Sequence, residues 1–431
     1  MNTDSGERSG AELSEPVRDL FLSTLLKRAV INAAGQRVGR LDDVVVRMQG
    51  ADSPLAIGLV ANLQGRRVFI HSEDITAWHT DLLELASAKV DLRLFERRPG
   101  EMLLRADVLG HRLVDVENAR LVRASDIELT WTERGWQVSR VDVRRAAPLR
   151  MFGRQERRVL RDWSEFATVG ERVPIMPRSR RAWLSQLKPA EIADLLEEAS
   201  DEERKDILAQ VEEDPELEAD IFEELEDDEQ SELFGLRADN EVAEVLSRMQ
   251  ADDAADAIMQ LPTERRERIL EWLPAGQRTK VMMLLGFHAA SAGGLMGVDY
   301  VGLPGEATIG ECLAAIGRAM GIQSQALTSV YEVGEQGELT GAATLVELLQ
   351  ADPSTTLGAV AEADPVSVDA NADLVTLTLL MADHNLLTLP VVDGHGTMLG
   401  IITVDDVLEA MVPDNWRRRV PEPRHHSSDA D

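Results

Sequence analysis

Residues 399–406 read Leu-Gly-Ile-Ile-Thr-Val-Asp-Asp, and the same spacing of Gly, Thr and an acid occurs 59 positions earlier, within Leu-Thr-Gly-Ala-Ala-Thr-Leu-Val-Glu at 339–347. A hairpin signal precedes each copy, Gly-Glu-Gln-Gly at 334–337 and Asp-Gly-His-Gly at 393–396. Before the second hairpin, the pattern predicts a strand, a helix over 372–384 and another strand. The order β-α-β-β-α therefore occurs twice, which is typical of a tandem α/β repeat.

A different pattern occupies residues 183–290, where an apolar residue, a breaker or small polar residue and then acids recur about every 12 residues. Examples are Leu-Lys-Pro-Ala-Glu at 187–191, Met-Gln-Ala-Asp-Asp at 249–253 and Leu-Pro-Thr-Glu at 261–264. A period of 12 predicts a helix of about two and a half turns followed by a bend. Such short helices bury their apolar faces by stacking, so we expect an all-α superhelix.

The first 150 residues alternate short β-type runs with turn signals, which favours a small antiparallel barrel. The predicted strands lie at Arg37–Met48, Ile57–Leu63, Arg67–His71, Val90–Phe95 and Glu128–Val143. An internal echo occurs at Gly35 and Gly110, each followed by Arg and a short apolar run. This arrangement resembles a PRC-barrel domain.

Together these patterns predict a multidomain α+β protein: a β-barrel-like N-terminal domain, an all-α superhelical middle domain and an α/β tandem pair that resembles CBS modules. The expected segments are a flexible N-terminus at 1–24, a barrel-like domain at 25–147, an Arg-rich linker at 148–182, the superhelix at 183–290, CBS module 1 at 291–352, CBS module 2 at 353–413 and a disordered tail at 414–431.

The charge is strongly negative and unevenly distributed. The chain has 431 residues with 77 acids and 45 bases, a net charge of −32, and residues 191–271 alone hold 30 acids and 7 bases. An acidic surface repels phosphates, so we expect no nucleic-acid partner. Two interpretations stay open for it: a solvated surface that aids solubility, or a surface that attracts cations or a basic partner.

Cysteine content and hydropathy predict a cytoplasmic protein that does not insert into membranes. Cys312 is the single cysteine, which excludes a disulfide framework and fits a reducing compartment. The N-terminus lacks a secretory pattern, and no apolar run approaches the ~18–20 residues that span a bilayer. We expect Cys312 to be a small buried apolar residue.

The Arg-rich linker has two interpretations. Residues 144–181 contain 11 arginines against four acids, with Trp163 and Phe166 interleaved. Basic stretches with aromatic residues can contact RNA. The alternative is a connector whose arginines dock on the acidic domain beside it, which the charge of that neighbour favours.

An acidic helical superhelix, then Ser-Ala-Gly-Gly-Leu-Met-Gly-Val-Asp-Tyr at 291–300, then paired CBS modules: this order resembles the cytosolic half of the MgtE magnesium transporters over about residues 183–412. In that family, membrane-spanning helices follow the second CBS module, where this sequence stops. The resemblance therefore implies a Mg²⁺-sensing regulatory protein that is not itself a channel, with an additional N-terminal domain.

The resemblance also implies where Mg²⁺ binds. It nominates Asp252 and Asp256 on the helical side, and Asp406, Glu409, Asn385, the carbonyl of Ala382 and the carbonyl of Gly293 on the CBS side. At position 385 the family favours an acid. Asp252 has a competing explanation, because acids are favoured in the first turn of any helix. Asp406 could equally cap the helix after Thr403 or bind a ribose.

Adenine nucleotides are the alternative ligand. Tandem CBS modules often hold them, and Gly400, Thr403 and Asp406 fit the pattern in which a hydroxyl and a carboxylate contact the ribose, as in an ATP site. In module 1 a glutamate replaces the aspartate, so at most one such site is intact. The other explanation is that Thr403 and Asp406 only cap a helix.

No motif of an enzyme is present, so we predict a binding protein without catalytic activity. The sequence lacks His-Glu-x-x-His, a phosphate-binding loop and Cys-x-x-Cys. CBS pairs commonly dimerise, which predicts a homodimer. The barrel-like domain shows no catalytic constellation and is expected to recruit a protein partner whose identity the sequence does not indicate.

Overall fold

The computed structural model describes residues 19–48, 53–63, 65–79, 82–87, 94–144, 158–169, 183–320 and 322–412. The chain divides into two compact units, Met1–Leu225 and Glu226–Asp431. The division falls inside the predicted superhelix. The tail at 414–431, the first 18 residues and two parts of the linker, 148–157 and 170–182, lie outside the described residues.

The first unit begins with a β-rich domain. Its strands are β1 Asp19–Phe21, β2 Ala29–Ile31, β3 Arg37–Arg47, β4 Leu55–Leu63, β5 Arg66–His71, β6 Ile75–Trp78, β7 Leu82–Leu85, β8 Glu101–Leu103, β9 Arg112–Asp115, β10 Arg120–Arg123, β11 Asp126–Thr132, β12 Gly135–Asp142, β13 Leu160–Asp162 and β14 Phe166–Thr168, with a short helix α1 at Leu22–Leu25. Over the described residues, eleven of these strands form one curled sheet: eight follow the path β1-β11-β12-β4-β3-β2-β7-β6, and β13, β5 and β8 pair with β12, β4 and β3. Strands β10-β9-β14 form a second sheet. The result is a half-barrel, antiparallel except where β2 runs parallel to β7.

The central strands of this domain are covered on both faces. In β3, Val44 and Val46 point into the main core, whereas Val45 packs with Val60 and Leu103 in a separate cluster on the other face. A strand buried on both faces carries a continuous apolar run rather than an alternating one. The predicted strand at Val90–Phe95 lies largely outside the described residues, and Leu94 forms an isolated bridge to Val68.

Glycine turns precede two strands of this domain, as the internal echo predicts. Gly35 (φ 74°) and Gly110 (φ 83°) adopt left-handed backbone conformations just before β3 and β9. A side chain is strained in that region, which explains the residue type at both positions.

The described part of the Arg-rich linker belongs to the β domain. Arg161 Nη1 contacts Asp115 Oδ2 at 2.5 Å, and the Arg158 guanidinium lies 3.5 Å from the centroid of the Phe21 ring. Trp163 is buried in the main core. Residues 158–169 therefore add strands to the sheets, and Arg158 and Arg161 pair with acids of the β domain rather than with the acidic helices. The predicted docking of these two arginines on the acidic helical domain was therefore wrong, because sequence distance did not reveal the buried carboxylates of the β domain. RNA contact by the linker stays a prediction.

The β domain also includes residues assigned to the flexible N-terminus. Strand β1 pairs with β11 from Asp19 to Phe21, and Ser23 donates to the buried carboxylate of Asp126 through both its backbone amide and its hydroxyl. The domain therefore starts earlier in the chain than the predicted boundary at residue 25.

Eight helices follow at nearly constant intervals: α2 Pro189–Glu198, α3 Asp201–Val211, α4 Pro215–Glu223, α5 Asp227–Gly235, α6 Asp239–Leu246, α7 Ala251–Gln260, α8 Thr263–Trp272 and α9 Ala275–Leu284. Their first residues are 12 positions apart except for one interval of 14, which confirms the predicted repeat. Packing is mainly between alternate helices, α2 with α4 in the first unit and α5 with α7, α6 with α8 and α7 with α9 in the second, and the consecutive helices α3 and α4 are also in contact. This side-by-side stacking buries the apolar faces that short helices cannot bury alone.

Two α/β modules complete the second unit. Their elements are β15 Gly302–Leu303, α10 Ile309–Arg318, β16 Ser329–Val333, β17 Leu339–Thr344, α11 Leu345–Gln350, α12 Leu357–Val360, β18 Glu362–Ala363, β19 Val368–Asp369, α13 Leu374–His384, β20 Thr388–Val392, β21 Met398–Thr403 and α14 Val404–Met411. In each module a short strand runs parallel to the first hairpin strand, which pairs antiparallel with the second. The hairpins begin at 329 and 388, in agreement with the shift of 59.

Side-chain and backbone contacts join the two modules. Tyr331 Oη donates to Thr388 Oγ1 at 2.8 Å in a buried position, and the Leu339 amide donates to the Gly396 carbonyl oxygen. Cys312 is fully buried in the core of the first module, as predicted.

Candidate functional site: a carboxylate cleft

Asp252 lies in the first turn of α7 and is the most unusual carboxylate of the second unit. Its Oδ1 atom is buried and has no hydrogen-bond partner among the described residues. Burial raises the pKa of the Asp252 carboxyl to about 6, and the negative charges of Asp256 and Asp299 add to that shift. An unpaired buried carboxylate oxygen is costly, so a donor or a cation beside Oδ1 would stabilise the ionised form of this carboxyl.

Asp406 faces Asp252 from the CBS side. It lies in the first turn of α14, where its Oδ2 atom accepts hydrogen bonds of 2.7 Å from the amide and the hydroxyl of Thr403. Burial raises the pKa of the Asp406 carboxyl to about 6, and the nearby charges of Asp252 and Asp405 raise it further against those hydrogen bonds. Asp252 and Asp406 are distant in sequence and share one local environment, because both line the same cleft.

A cleft of about 210 Å³ contains both carboxylates. The helical side contributes residues 247–252 with Gln277 and Lys280, and the CBS side contributes residues 297–299, 322, 323, 326, 401, 403 and 406. The cleft therefore joins the last helices of the helical region to both CBS modules. It is large enough to hold several water molecules beside the protein oxygens.

Asp256 lies one turn after Asp252, at the edge of this arrangement. Its side chain is exposed and does not line the cleft. Partial burial against its neighbours raises the pKa of its carboxyl to about 6, and the charge of Asp227 contributes. Asp256 therefore increases the negative potential of the cleft from outside it.

The structure does not bring the other four nominated ligands to this cleft. Glu409, Ala382 and Asn385 are exposed, and none of them lines it. Asn385 ends α13 in a left-handed conformation (φ 52°), a role that asparagine fills readily without a ligand. Gly293 packs under the Phe287 ring, where an added Cβ would lie 2.5 Å from ring atoms, so close packing accounts for this glycine.

Local structure also explains the residues nominated for a nucleotide. A Cβ at Gly400 would lie 2.5 Å from the Gly297 carbonyl oxygen, because residues 297 and 401 form a bridge there. The Thr403–Asp406 contacts form a helix cap, and Thr344 and Glu347 form the same cap at the start of α11. Glutamate in module 1 therefore serves the same capping role as aspartate in module 2.

Two residues of the cleft were missed by the sequence interpretation. Lys280 Nζ lies 2.6 and 2.7 Å from the two carboxylate oxygens of Asp299. Asp299 belongs to the 291–300 stretch that carries the family resemblance, which was a usable signal. No signal in the sequence pointed to Lys280, because its role depends on a contact between two separate elements.

The carboxylates do not form a closed chelating group. Within the described ranges, no three His, Cys, Asp or Glu side chains lie close enough together to hold a metal ion. The donor set instead offers one unpaired oxygen from α7 and one carboxylate from α14. This set suits a cation that keeps part of its water shell, as Mg²⁺ does.

Comparison with known proteins gives these features a family context. Residues 187–290 match the MgtE intracellular N domain, and residues 357–413 match the CBS domain. The chain carries an MgtE N domain followed by CBS modules. The magnesium transporter MgtE of Thermus thermophilus is 34% identical over 145 residues, which are 34% of this chain and 32% of that protein. MgtE of Bacillus subtilis is 24% identical over 143 residues, 33% and 32% of the two chains. The matched part of the chain thus spans about a third of the length of these curated relatives.

Solved structures extend the likeness to about half of this chain. The cytosolic domain of the Mg²⁺ channel MgtE in complex with ATP is 30% identical, with a TM-score of 0.51, and covers 55% of this chain and 95% of that chain. The soluble part of a magnesium transporter, at 21% identity and a TM-score of 0.50, shares the fold. No helix in the described ranges is long and apolar enough to cross a membrane.

Proposed function

We propose that this chain is a Mg²⁺-responsive regulatory protein in which the ion binds between the helical region and the CBS modules. The observation that carries the proposal is the buried, unpaired Oδ1 of Asp252 in a cleft that also contains Asp406. The MgtE relatives named above are magnesium transporters and a Mg²⁺ channel, which supports the choice of ion.

The electrostatics of the cleft supply the driving force. Burial and mutual repulsion disfavour the charged forms of Asp252 and Asp406, so bringing the helical and CBS sides together costs free energy at neutral pH. A divalent cation between them would offset that cost. Mg²⁺ binds oxygen ligands and retains waters, and it would contact Asp252 and Asp406 directly or through those waters.

The regulatory step follows from linkage. An ion that binds the closed arrangement of the cleft more tightly than an open one shifts the population toward the closed form, by no more than that difference in affinity. The residues of this chain provide the two carboxylate-bearing sides, and the ion supplies positive charge.

Titration calorimetry of the full chain tests the proposal. Mg²⁺ should give a saturable event that Asp252→Asn and Asp406→Asn each weaken about tenfold or more, because each removes a full ligand charge. Asp253→Asn is the matched control, since it removes the same charge from the same helical turn at a position that does not line the cleft. Equal Mg²⁺ affinity in all four proteins, or no binding in any, would reject the proposal.

An adenine nucleotide is the second candidate ligand, favoured by the likeness to an MgtE cytosolic domain crystallised with ATP. In this chain, Asp406 would accept the ribose hydroxyls, beside Thr403 and Gly400, in competition with its role in capping α14. ATP titration separates the two ligands: Asp406→Asn should abolish ATP binding, whereas Asp252→Asn should leave it unchanged. ATP affinity that survives Asp406→Asn would remove this candidate.

A homodimer through the CBS modules is part of the same proposal. Large apolar side chains are exposed on three helices of the modules: Val346 and Leu349 on α11, Val375 and Leu379 on α13, and Leu408 and Met411 on α14. Exposed apolar groups of this kind favour association. Light scattering should give twice the monomer mass, and Leu379→Glu should return the monomer.

For the β domain we propose recruitment of a protein partner, which a pull-down with the full chain as bait would test.

A further inference from the structure

We propose that Lys280 is a built-in cation that clamps the helical region to the CBS modules and reduces how far closure of the cleft depends on a divalent ion. This inference rests on the proposed function for its physiological meaning. The clamp itself is a structural claim that can be tested in the absence of metal.

Lys280 belongs to the helical side of the cleft. It lies on α9, which packs against α7, the helix that carries Asp252. Its ammonium group contacts both carboxylate oxygens of Asp299, at 2.6 and 2.7 Å. Any movement of α7 and α9 as a pair away from Asp299 would break these contacts.

Asp299 belongs to the CBS side. Two residues before it, the amide and carbonyl of Gly297 exchange hydrogen bonds of 2.9 Å with Ile401 of β21. Two residues after it, the Val301 carbonyl oxygen accepts a bond of 2.9 Å from the Tyr331 amide in β16. The short segment that carries Asp299 is thus fixed to a strand of each module. The Lys280–Asp299 pair therefore connects two bodies rather than two positions of one loop.

Lys280 neutralises only part of the negative charge that faces the cleft. Three carboxylates line it, those of Asp252, Asp299 and Asp406, and Lys280 neutralises one of them. Arg248 also lines the cleft, but its guanidinium is bonded to the Glu244 carbonyl oxygen at 2.9 Å on its own helical turn. The remaining two negative charges match one divalent cation. Lys280 thus satisfies Asp299 and leaves Asp252 Oδ1 to the ion.

This arrangement makes two predictions about the ion-free protein. Both side chains of the pair are partly exposed, Lys280 by 37% and Asp299 by 46%. The ion pair should therefore raise the ratio of closed to open forms only about two- to fivefold. Removing the ammonium should open the cleft more often without metal. Saturating Mg²⁺ should close the cleft in the variant as well, because the ion supplies the missing positive charge.

Hydrogen–deuterium exchange of the full chain measures this opening in peptides that cover residues 247–252 and 297–301. In chelator, Lys280→Gln should exchange about two- to fivefold faster than the unmodified protein. Asp299→Asn should exchange faster by a smaller factor, because it also removes the repulsion between Asp299 and Asp252, and the double variant should be no faster than Lys280→Gln. Lys205→Gln, which removes an exposed lysine of α3, is the matched control and should behave as the unmodified protein.

The outcomes separate the two proposals. If Lys280→Gln exchanges at the unmodified rate in chelator, or if the two single effects add in the double variant, the clamp is rejected. If exchange in these peptides is the same with chelator and with Mg²⁺ in every protein, the proposed ion response fails, while the chelator comparison still decides the clamp.

Discussion

Replacing Asp252 by asparagine should stabilise the metal-free protein at alkaline pH, an unusual result for a change at a binding site. The reason is that the fold raises the pKa of this carboxyl from 3.8 to about 6. A carboxyl with a raised pKa is more stable in the fold when protonated. Its ionisation therefore weakens folding as the pH rises from about 4, where it titrates in the unfolded chain, to about 6, and the loss stays constant above that.

The size of the effect follows from the shift. A displacement of about two pH units corresponds to about 3 kcal/mol for an isolated group. Asp252 shares its environment with Asp256 and Asp299, and solvent reaches part of its side chain, so about 1–3 kcal/mol is the working range. For a unit of about 200 residues, each kcal/mol changes the melting temperature by roughly 2–4 °C.

Thermal unfolding of the full chain, followed between pH 4 and 8 with chelator, measures this prediction. Asp252→Asn should melt above the unmodified protein at pH 8, and the difference should vanish toward pH 4. Adding Mg²⁺ at pH 8 should raise the melting temperature of the unmodified protein more than that of the variant. Asp253→Asn is the control for general charge reduction. A melting temperature at pH 8 that is unchanged or lower in Asp252→Asn, or a gain that is independent of pH, would refute the electrostatic reasoning.

Three further predictions concern the framework around the site. Arg161→Ala should destabilise the β domain by about 2–4 kcal/mol, because it deprives the buried Asp115 carboxylate of its closest guanidinium; differential scanning calorimetry should show the loss in one transition only. Tyr331→Phe should lower the free energy of unfolding by about 1 kcal/mol, because it removes the hydrogen bond to Thr388. In ultraviolet titration of the unmodified protein, the Tyr331 phenol should ionise only near pH 12, since burial raises its pKa to about 12. Gly400→Ala should cost about 1–3 kcal/mol in chemical denaturation, because the new Cβ would lie 2.5 Å from a carbonyl oxygen; retention of full stability would show that the backbone bridge yields easily.

Local repeats made most of the architecture predictable. The 12-residue period predicted a series of short helices over 183–290, and the shift of 59 predicted the two hairpins, because helices and hairpins are specified by neighbours in sequence. The same reasoning failed at residues 158–169. There, Arg161 was assigned to a linker, although it binds a carboxylate 46 residues away in the β domain.

The candidate site shows the same limit. From the sequence alone, Asp252 and Asp406 were nominated through family likeness. The preference for acids in the first turn of a helix was the competing explanation for Asp252, and helix capping or ribose binding was the competing explanation for Asp406. The structure shows capping at Asp406, and a ligand role for this carboxylate stays a prediction.

The sequence by itself therefore determined the modules, their order, and a set of acids that could face one another. Only the tertiary structure decided that Asp252 and Asp406 share a cleft, that Glu409 and Asn385 lie outside it, and that Lys280 reaches Asp299. The physical reason is the distance along the chain over which each kind of interaction acts. Hydrogen bonds that form helices and hairpins act within a few residues, and a repeat displays them directly. The burial and charge that define a site depend on which surfaces come together, and no local pattern records that.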